Sequence, residues 1–260
     1  MSMKRILILL LATGLTVSVT AQELRIAVAA NAQFAARALV KAFREKTDAA
    51  ATLIVSSSGK ITAQVRQGAP FDLFLSADMQ YPRMLSEEGY TLDTPRVYAC
   101  GALVLWSLKE RDISGGIGAA AGQDIARLAV ANPKTAPYGV AALQAIRALR
   151  LYDRVKDKIV YGESISQVNQ YLLSGAADLA LTAKSVVMAP VMKGRGKWVE
   201  VDSRLYQPID QGVVILRHAQ GAGLEKAQAF YRFIFSPQGR AVFAAYGYVL
   251  PPLPPKGGER

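Results

Sequence analysis

Cysteine occurs once, at Cys100, and histidine once, at His218. A single cysteine excludes an intrachain disulfide. With one histidine, and with no HExxH, CxxC or GxSxG run, most metal-hydrolase and nucleophile–base arrangements are excluded as well. Cys100 sits in the apolar run VYACGALVLW and is expected to be a buried, inert thiol. His218 follows a strand end and is expected at the surface. Carboxylate neighbours such as Glu87-Glu88 read as solvated helix surface. Beyond the first twenty residues no apolar run is long enough to cross a bilayer. No constellation of side chains calls for an enzyme.

Acidic residues are also in deficit: 20 Asp and Glu face 31 Lys and Arg, a net charge of +11 that becomes +9 without Lys4 and Arg5. Such a balance suits nucleic acid, a membrane surface or an anionic ligand. Lys4 and Arg5 precede the apolar stretch 6–19, and Val19-Thr20-Ala21 ends in a small residue before Gln22. This pattern is a secretory signal, with cleavage expected near Ala21 and a periplasmic mature chain. No cysteine follows to carry a lipid, and export argues against nucleic acid as partner. The basic residues are scattered, apart from Lys193-Gly194-Arg195-Gly196-Lys197, which reads as a solvated loop. The charge therefore serves to steer an anion from a distance.

What the chain has instead is one unit repeated in kind. An apolar strand-like run ends in small or polar residues and a helix follows, at 24–31, 51–59, 127–139 and 158–166. The runs LRIAVAA, ATLIV, RLAVA and KIVY end in AAN, SSSGK, PYG and GESIS. Helix starts carry free N–H groups and a partial positive charge, so several converging make an anion site. Strand–helix alternation nearly throughout predicts α/β architecture, with parallel sheets covered on both faces and ligands beyond the carboxyl ends of strands.

Each segment alone admits a plainer reading. Ser56-Ser57-Ser58-Gly59-Lys60 imitates a phosphate loop, but Ile54 stands where its first Gly belongs and Ile61 where Ser or Thr would bind magnesium. The remaining choice is between a Ser-rich helix cap and an anion cradle that Gly59 lets a ligand approach closely. Pro137-Tyr138-Gly139 is either a simple helix start or one that leaves N–H groups to a ligand. Gly116-Ile117-Gly118 follows a charged stretch, not a strand, and is expected to be a loop leading to a short helix. Lys60 follows Gly59 and is expected to point to solvent.

Read together, these residues resemble the substrate-binding proteins of molybdate ABC transporters. The match runs through Val28-Ala29-Ala30-Asn31, Ser57-Ser58-Gly59-Lys60 and the 68–78 run GAPFDLFLSAD, its most specific part. It continues through Asn132-Pro133, Pro137-Tyr138-Gly139, Glu163-Ser164-Ile165 and Tyr246-Gly247-Tyr248, over nearly the whole mature chain. The resemblance implies a two-lobed periplasmic binding fold of type II, each lobe a mostly parallel sheet covered by helices, joined by two hinge strands near 98–105 and 205–214. Lobe 1 would comprise 22–101 and 210–250, lobe 2 102–209, after a signal peptide at 1–21 and before a flexible tail at 251–260. It implies an oxyanion, molybdate or tungstate, held by Ala30, Asn31, Ser58, Tyr138 and Ile165, with no cofactor and no direct protein–metal ligand. A membrane permease would be the partner of a monomeric receptor. One branch of that family adds a tyrosine hydroxyl from the strand near Leu181. Here Ala183 takes that place, as in a second branch that has Asn at the first cluster. A receptor for another tetrahedral oxyanion such as sulfate, and a secreted enzyme on anionic esters, are the alternatives.

Overall fold

A computed structural model describes residues 23–252, apart from 48 and 222. The expected signal peptide and most of the expected tail lie outside the described residues. No helix among the described residues is long and apolar enough to cross a membrane.

Two five-stranded sheets carry the structure. The strands are β1 Leu24–Ala29, β2 Ala51–Ser56, β3 Leu73–Leu75, β4 Arg96–Gly101, β5 Leu103–Ser107, β6 Leu128–Ala131, β7 Ile159–Gly162, β8 Leu179–Ala183, β9 Lys197–Glu200 and β10 Ile209–Ile215. One sheet has the order β2-β1-β3-β10-β4 and the other β7-β6-β8-β5-β9. In each, the first three strands are parallel and the fourth is antiparallel to both its neighbours. The second sheet is built from the consecutive strands β5–β9, whereas the first takes its fourth strand, β10, from beyond them. The chain leaves the first sheet after β4 and enters the second as β5, then leaves after β9 and returns as β10. This is the two-lobed, type II arrangement that the resemblance implies, with two crossings. The Leu103 N–H donates to the Tyr206 hydroxyl at 3.1 Å, bracing one crossing against the other.

The apolar run at 97–106 holds parts of two strands, because the chain changes sheets at Gly101-Ala102. A Cβ at Gly101 would lie 2.1 Å from the Tyr138 hydroxyl and 2.5 Å from Gln211 Nε2, so only glycine admits this close approach.

Helices cover the sheets: α1 Gln33–Thr47, α2 Ser58–Arg66, α3 Gln80–Glu87, α4 Pro137–Ala148, α5 Tyr152–Val155, α6 Ile165–Leu173, α7 Lys184–Val187, α8 Leu224–Phe235 and α9 Pro237–Ala245. Their starts follow local chemistry. Pro137 and Pro237 occupy first-turn positions where no N–H is needed, and the Ser164 and Ser236 hydroxyls cap α6 and α9. In the first lobe Phe43 packs edge-on to Phe230 at 5.1 Å between ring centres, joining α1 to α8. The larger core, in the second lobe, runs on into Ala29, Ala30 and Ala77 of the first. Part of the contact between the lobes beside the site is therefore apolar. The Gly116-Ile117-Gly118 segment forms a short 3-10 helix, Gly116–Ala121.

Candidate functional site

Four helical starts meet between the lobes. The 3-10 turn Ala30–Ala32 follows β1 and runs into α1, α2 follows β2, α4 follows β6 and α6 follows β7. Ala29, Ala30, Asn31, Ser57, Ser58, Ala77, Ala136, Pro137, Tyr138 and Ile165 enclose a cavity of about 10 Å³, on the scale of a single small group. All five sequence-predicted residues, Ala30, Asn31, Ser58, Tyr138 and Ile165, are thus brought together. Residues 30 and 165 are 135 apart in the chain, and only the two crossings allow them to meet.

The electrostatics come from the backbone. Ala30, Asn31, Ser58, Tyr138 and Ile165 lie in first turns, where a helix offers its own N–H groups no carbonyl. The partial positive ends of the helices point at the same space. No Lys, Arg, His, Asp or Glu is among the lining residues. An isolated charge in such a place is costly unless hydrogen-bonded, and here donors are abundant while fixed counter-charge is missing. The Ser58 hydroxyl accepts from the Ala77 N–H at 3.0 Å, which fixes the oxygen and leaves its own proton to donate.

The Asn31 amide faces elsewhere. Its Nδ2 donates to Gln211 Oε1 at 2.8 Å and to the Tyr248 hydroxyl at 3.1 Å. Both amide hydrogens are therefore taken, and Asn31 offers the cavity its backbone N–H. Gln211 Oε1 also accepts from the Tyr98 hydroxyl at 2.9 Å, and Gln211 Nε2 donates to the Tyr138 hydroxyl at 3.2 Å. The Ser185 hydroxyl donates to the Asn31 carbonyl at 2.8 Å. This buried network joins β4, β10, α4, α7 and the start of α1 directly beside the cavity. A bulge between Gln211 and Gly212 where β10 pairs with β4 coincides with it. Burial pushes the Tyr98 and Tyr138 hydroxyls well above the ordinary tyrosine range and Tyr248 up to about 12, so all three stay neutral.

Three residues have partners that the sequence did not show. Lys60 does not simply face solvent: its ammonium pairs with Glu163, so α2 and the turn before α6 are linked across the rim. Its partner is 103 residues away, beyond any local pattern. His218 is exposed, as expected, and its Nδ1 lies 2.9 Å from Oδ1 of the buried Asp72. Asp72 also accepts from the Arg25 N–H at 2.7 Å, which places this pair in the frame of the first sheet. Cys100 is half-buried, and its thiol donates to Asp210 at 3.0 Å. Burial and that carboxylate push the thiol up to about 12, so it is inert as expected. Ala183 is buried at the end of β8 and does not line the cavity.

Sequence reasoning missed Gln211, Tyr98 and Ser185 altogether. Gln211 lies in Asp210-Gln211-Gly212, just before the apolar run at 213–216, so no local pattern marks it as buried.

Comparison with known proteins agrees with this geometry. Residues 24–249 match the family model for bacterial extracellular solute-binding proteins. The chain is 37% identical over 242 residues to the molybdate-binding protein ModA of Rhodobacter capsulatus, covering 93% of this chain and 94% of that one. It is 36% identical over 250 residues to ModA of Azotobacter vinelandii, covering 96% and 98%. The structure of the Azotobacter vinelandii periplasmic molybdate-binding protein superposes with a TM-score of 0.84 at 33% identity, over 88% of this chain and all of that one. The chain belongs to the bacterial extracellular solute-binding proteins, in the group of the ModA proteins.

Proposed function

We propose that this chain captures molybdate, and tungstate of nearly the same size, in the periplasm and delivers it to the membrane permease of an ABC transporter. It acts as a monomer by binding and release, with no bond made or broken. The backbone N–H groups of Ala30, Asn31, Ser58, Tyr138 and Ile165 and the Ser58 hydroxyl hold the anion. The observation that carries this reading is a cavity walled by helix starts and hydroxyls, with no Lys, Arg, His, Asp or Glu among its lining residues. The names of the similar proteins point to the same ligand.

A fully deprotonated tetrahedral oxyanion presents acceptors only, which suits a wall of donors. A protonated phosphate brings an O–H that such a wall leaves without an acceptor. Sulfate is also all-acceptor and is rejected by size. The two lobes, 22–101 with 210–250 and 102–209, close on the anion because it touches both. Titration calorimetry on the mature chain is expected to show binding of molybdate and tungstate and little response to sulfate or phosphate. Small-angle scattering is expected to show a smaller radius with molybdate. Sulfate binding comparable to molybdate overturns the assignment.

A further inference from the structure

Ser57 stands at the cap position of α2 with extended backbone, where a serine hydroxyl ordinarily accepts from an N–H of the first turn. Its hydroxyl makes no such bond. It is buried, with the residue 3% exposed, and its Oγ has no hydrogen-bond partner among the described residues. A buried hydroxyl in that condition costs the folded protein free energy unless something else satisfies it. Ser57 also lines the cavity.

We infer that the Ser57 hydroxyl is a further donor to the bound oxyanion, beside that of Ser58; this rests on the oxyanion reading above. Two features of the site favour it. The Asn31 amide is withdrawn to Gln211 and Tyr248 and the Tyr138 hydroxyl is engaged by Gln211, which leaves Ser57 and Ser58 as the hydroxyls of the wall outside that network. The Ser58 oxygen is fixed by the Ala77 N–H, whereas nothing among the described residues fixes that of Ser57. Ser57 is therefore free to turn its proton towards the ligand. Adjacent serines at one helix start thus give two O–H donors to different oxygens of one anion, and a donor wall built this way adds to the selection against a protonated ligand.

The test is Ser57→Ala, with Ser57→Thr as the variant that keeps the hydroxyl. Molybdate is titrated calorimetrically into each, and thermal unfolding is followed with and without molybdate. Ser57→Ala is expected to weaken molybdate about tenfold or more, the loss of one hydrogen bond to a charged acceptor. Its midpoint without molybdate should be equal to or above that of the parent protein, because an unsatisfied buried hydroxyl has been removed. Ser57→Thr should recover at least half of the lost binding free energy. A Ser57→Ala affinity within twofold of the parent overturns the inference while leaving the oxyanion reading intact. A midpoint lowered without molybdate, with an unchanged molybdate-induced shift, also overturns it, since that marks a structural role. Failure of the parent chain to bind molybdate removes the oxyanion reading itself.

Discussion

The Gly59 N–H donates to the Thr135 carbonyl at 2.9 Å, so the first turn of α2 in one lobe is bonded to the turn before α4 in the other. A Cβ on Gly59 would lie 2.8 Å from the Tyr81 hydroxyl and 3.0 Å from both the Thr135 Cα and its carbonyl oxygen. Tyr81 is in the same lobe as Gly59 and its hydroxyl is the movable end of a side chain, whereas the Thr135 backbone is in the other lobe and obstructs only when the lobes are together. Gly59→Ala is therefore expected to weaken molybdate by about 1–3 kcal/mol, the usual cost of overpacking. Unfolding without ligand should be unchanged or slightly harder, since Ala is the better helix former by about 1 kcal/mol. Calorimetry beside thermal unfolding checks this, and unchanged affinity would show that the lobes do not need this approach to close.

Ser58 and Lys60 make opposite predictions about what holds the anion. Ser58→Ala removes a hydroxyl aimed by the Ala77 N–H and should weaken molybdate by about 1.5–3 kcal/mol. Lys60→Ala removes an ion pair whose side chains are 44% and 63% exposed, and should cost about 1 kcal/mol or less. The Lys60 effect should shrink further as salt is raised, through screening. If Lys60→Ala abolishes binding in a titration while Ser58→Ala is tolerated, the anion is held by charge instead of neutral donors.

Much of this site was legible in the sequence because its donors are local. A strand end, a serine or proline and a helix start lie within a few residues, so the four helix starts were visible one segment at a time, while the resemblance singled out Ala30, Ser58, Tyr138 and Ile165 among them. Their companions were not, because they act at a distance in the chain. Asn31 meets Gln211 across 180 residues, and Tyr98 meets it across 113. Nothing near Asn31 shows that its amide is already engaged. The strand β4 merged with β5 in the sequence because both are apolar through the change of sheet. Helix α9 escaped notice although Ser236-Pro237 is a cap followed by a first-turn proline, with Gly239 and Phe243 on its buried face.

Asp93 gives the fold a pH dependence of its own. Burial pushes its carboxyl up to about 6, against partial relief from the Ile215 N–H at 2.8 Å and from Tyr231. A carboxyl raised in the folded state binds its proton more tightly there than when unfolded. Its contribution to stability is therefore greatest below about pH 4 and declines as pH rises to about 6. Above that it is constant and unfavourable. Asp93→Asn keeps an oxygen for the Ile215 N–H and removes the titration. The variant should gain about 1 kcal/mol over the parent at pH 7, allowing for partial exposure, and lose that advantage near pH 4. Urea unfolding of both proteins at the two pH values measures the difference, and a gap independent of pH would rule Asp93 out as its source.

Gln211 is the shared partner of three buried groups, and the Tyr98 hydroxyl's alternative acceptor, the Ser76 carbonyl, is longer at 3.4 Å. Gln211 is fully buried, accepts from Asn31 and Tyr98, and donates to Tyr138. Gln211→Leu keeps the volume and removes those bonds, leaving the Tyr98 hydroxyl and one Asn31 hydrogen as buried donors without a good acceptor. Each such orphan costs about 1–3 kcal/mol, so the variant should lose about 2–4 kcal/mol of stability. Tyr98→Phe alone should cost less, because Gln211 keeps its bond to Asn31. Combined with Gln211→Leu it should cost almost nothing further, because both partners of one bond are then apolar. The expected signature in urea unfolding is a double variant clearly more stable than the sum of the two losses predicts. Simple additivity would mean that Tyr98 and Gln211 are merely neighbours and that the network beside the cavity is not a unit.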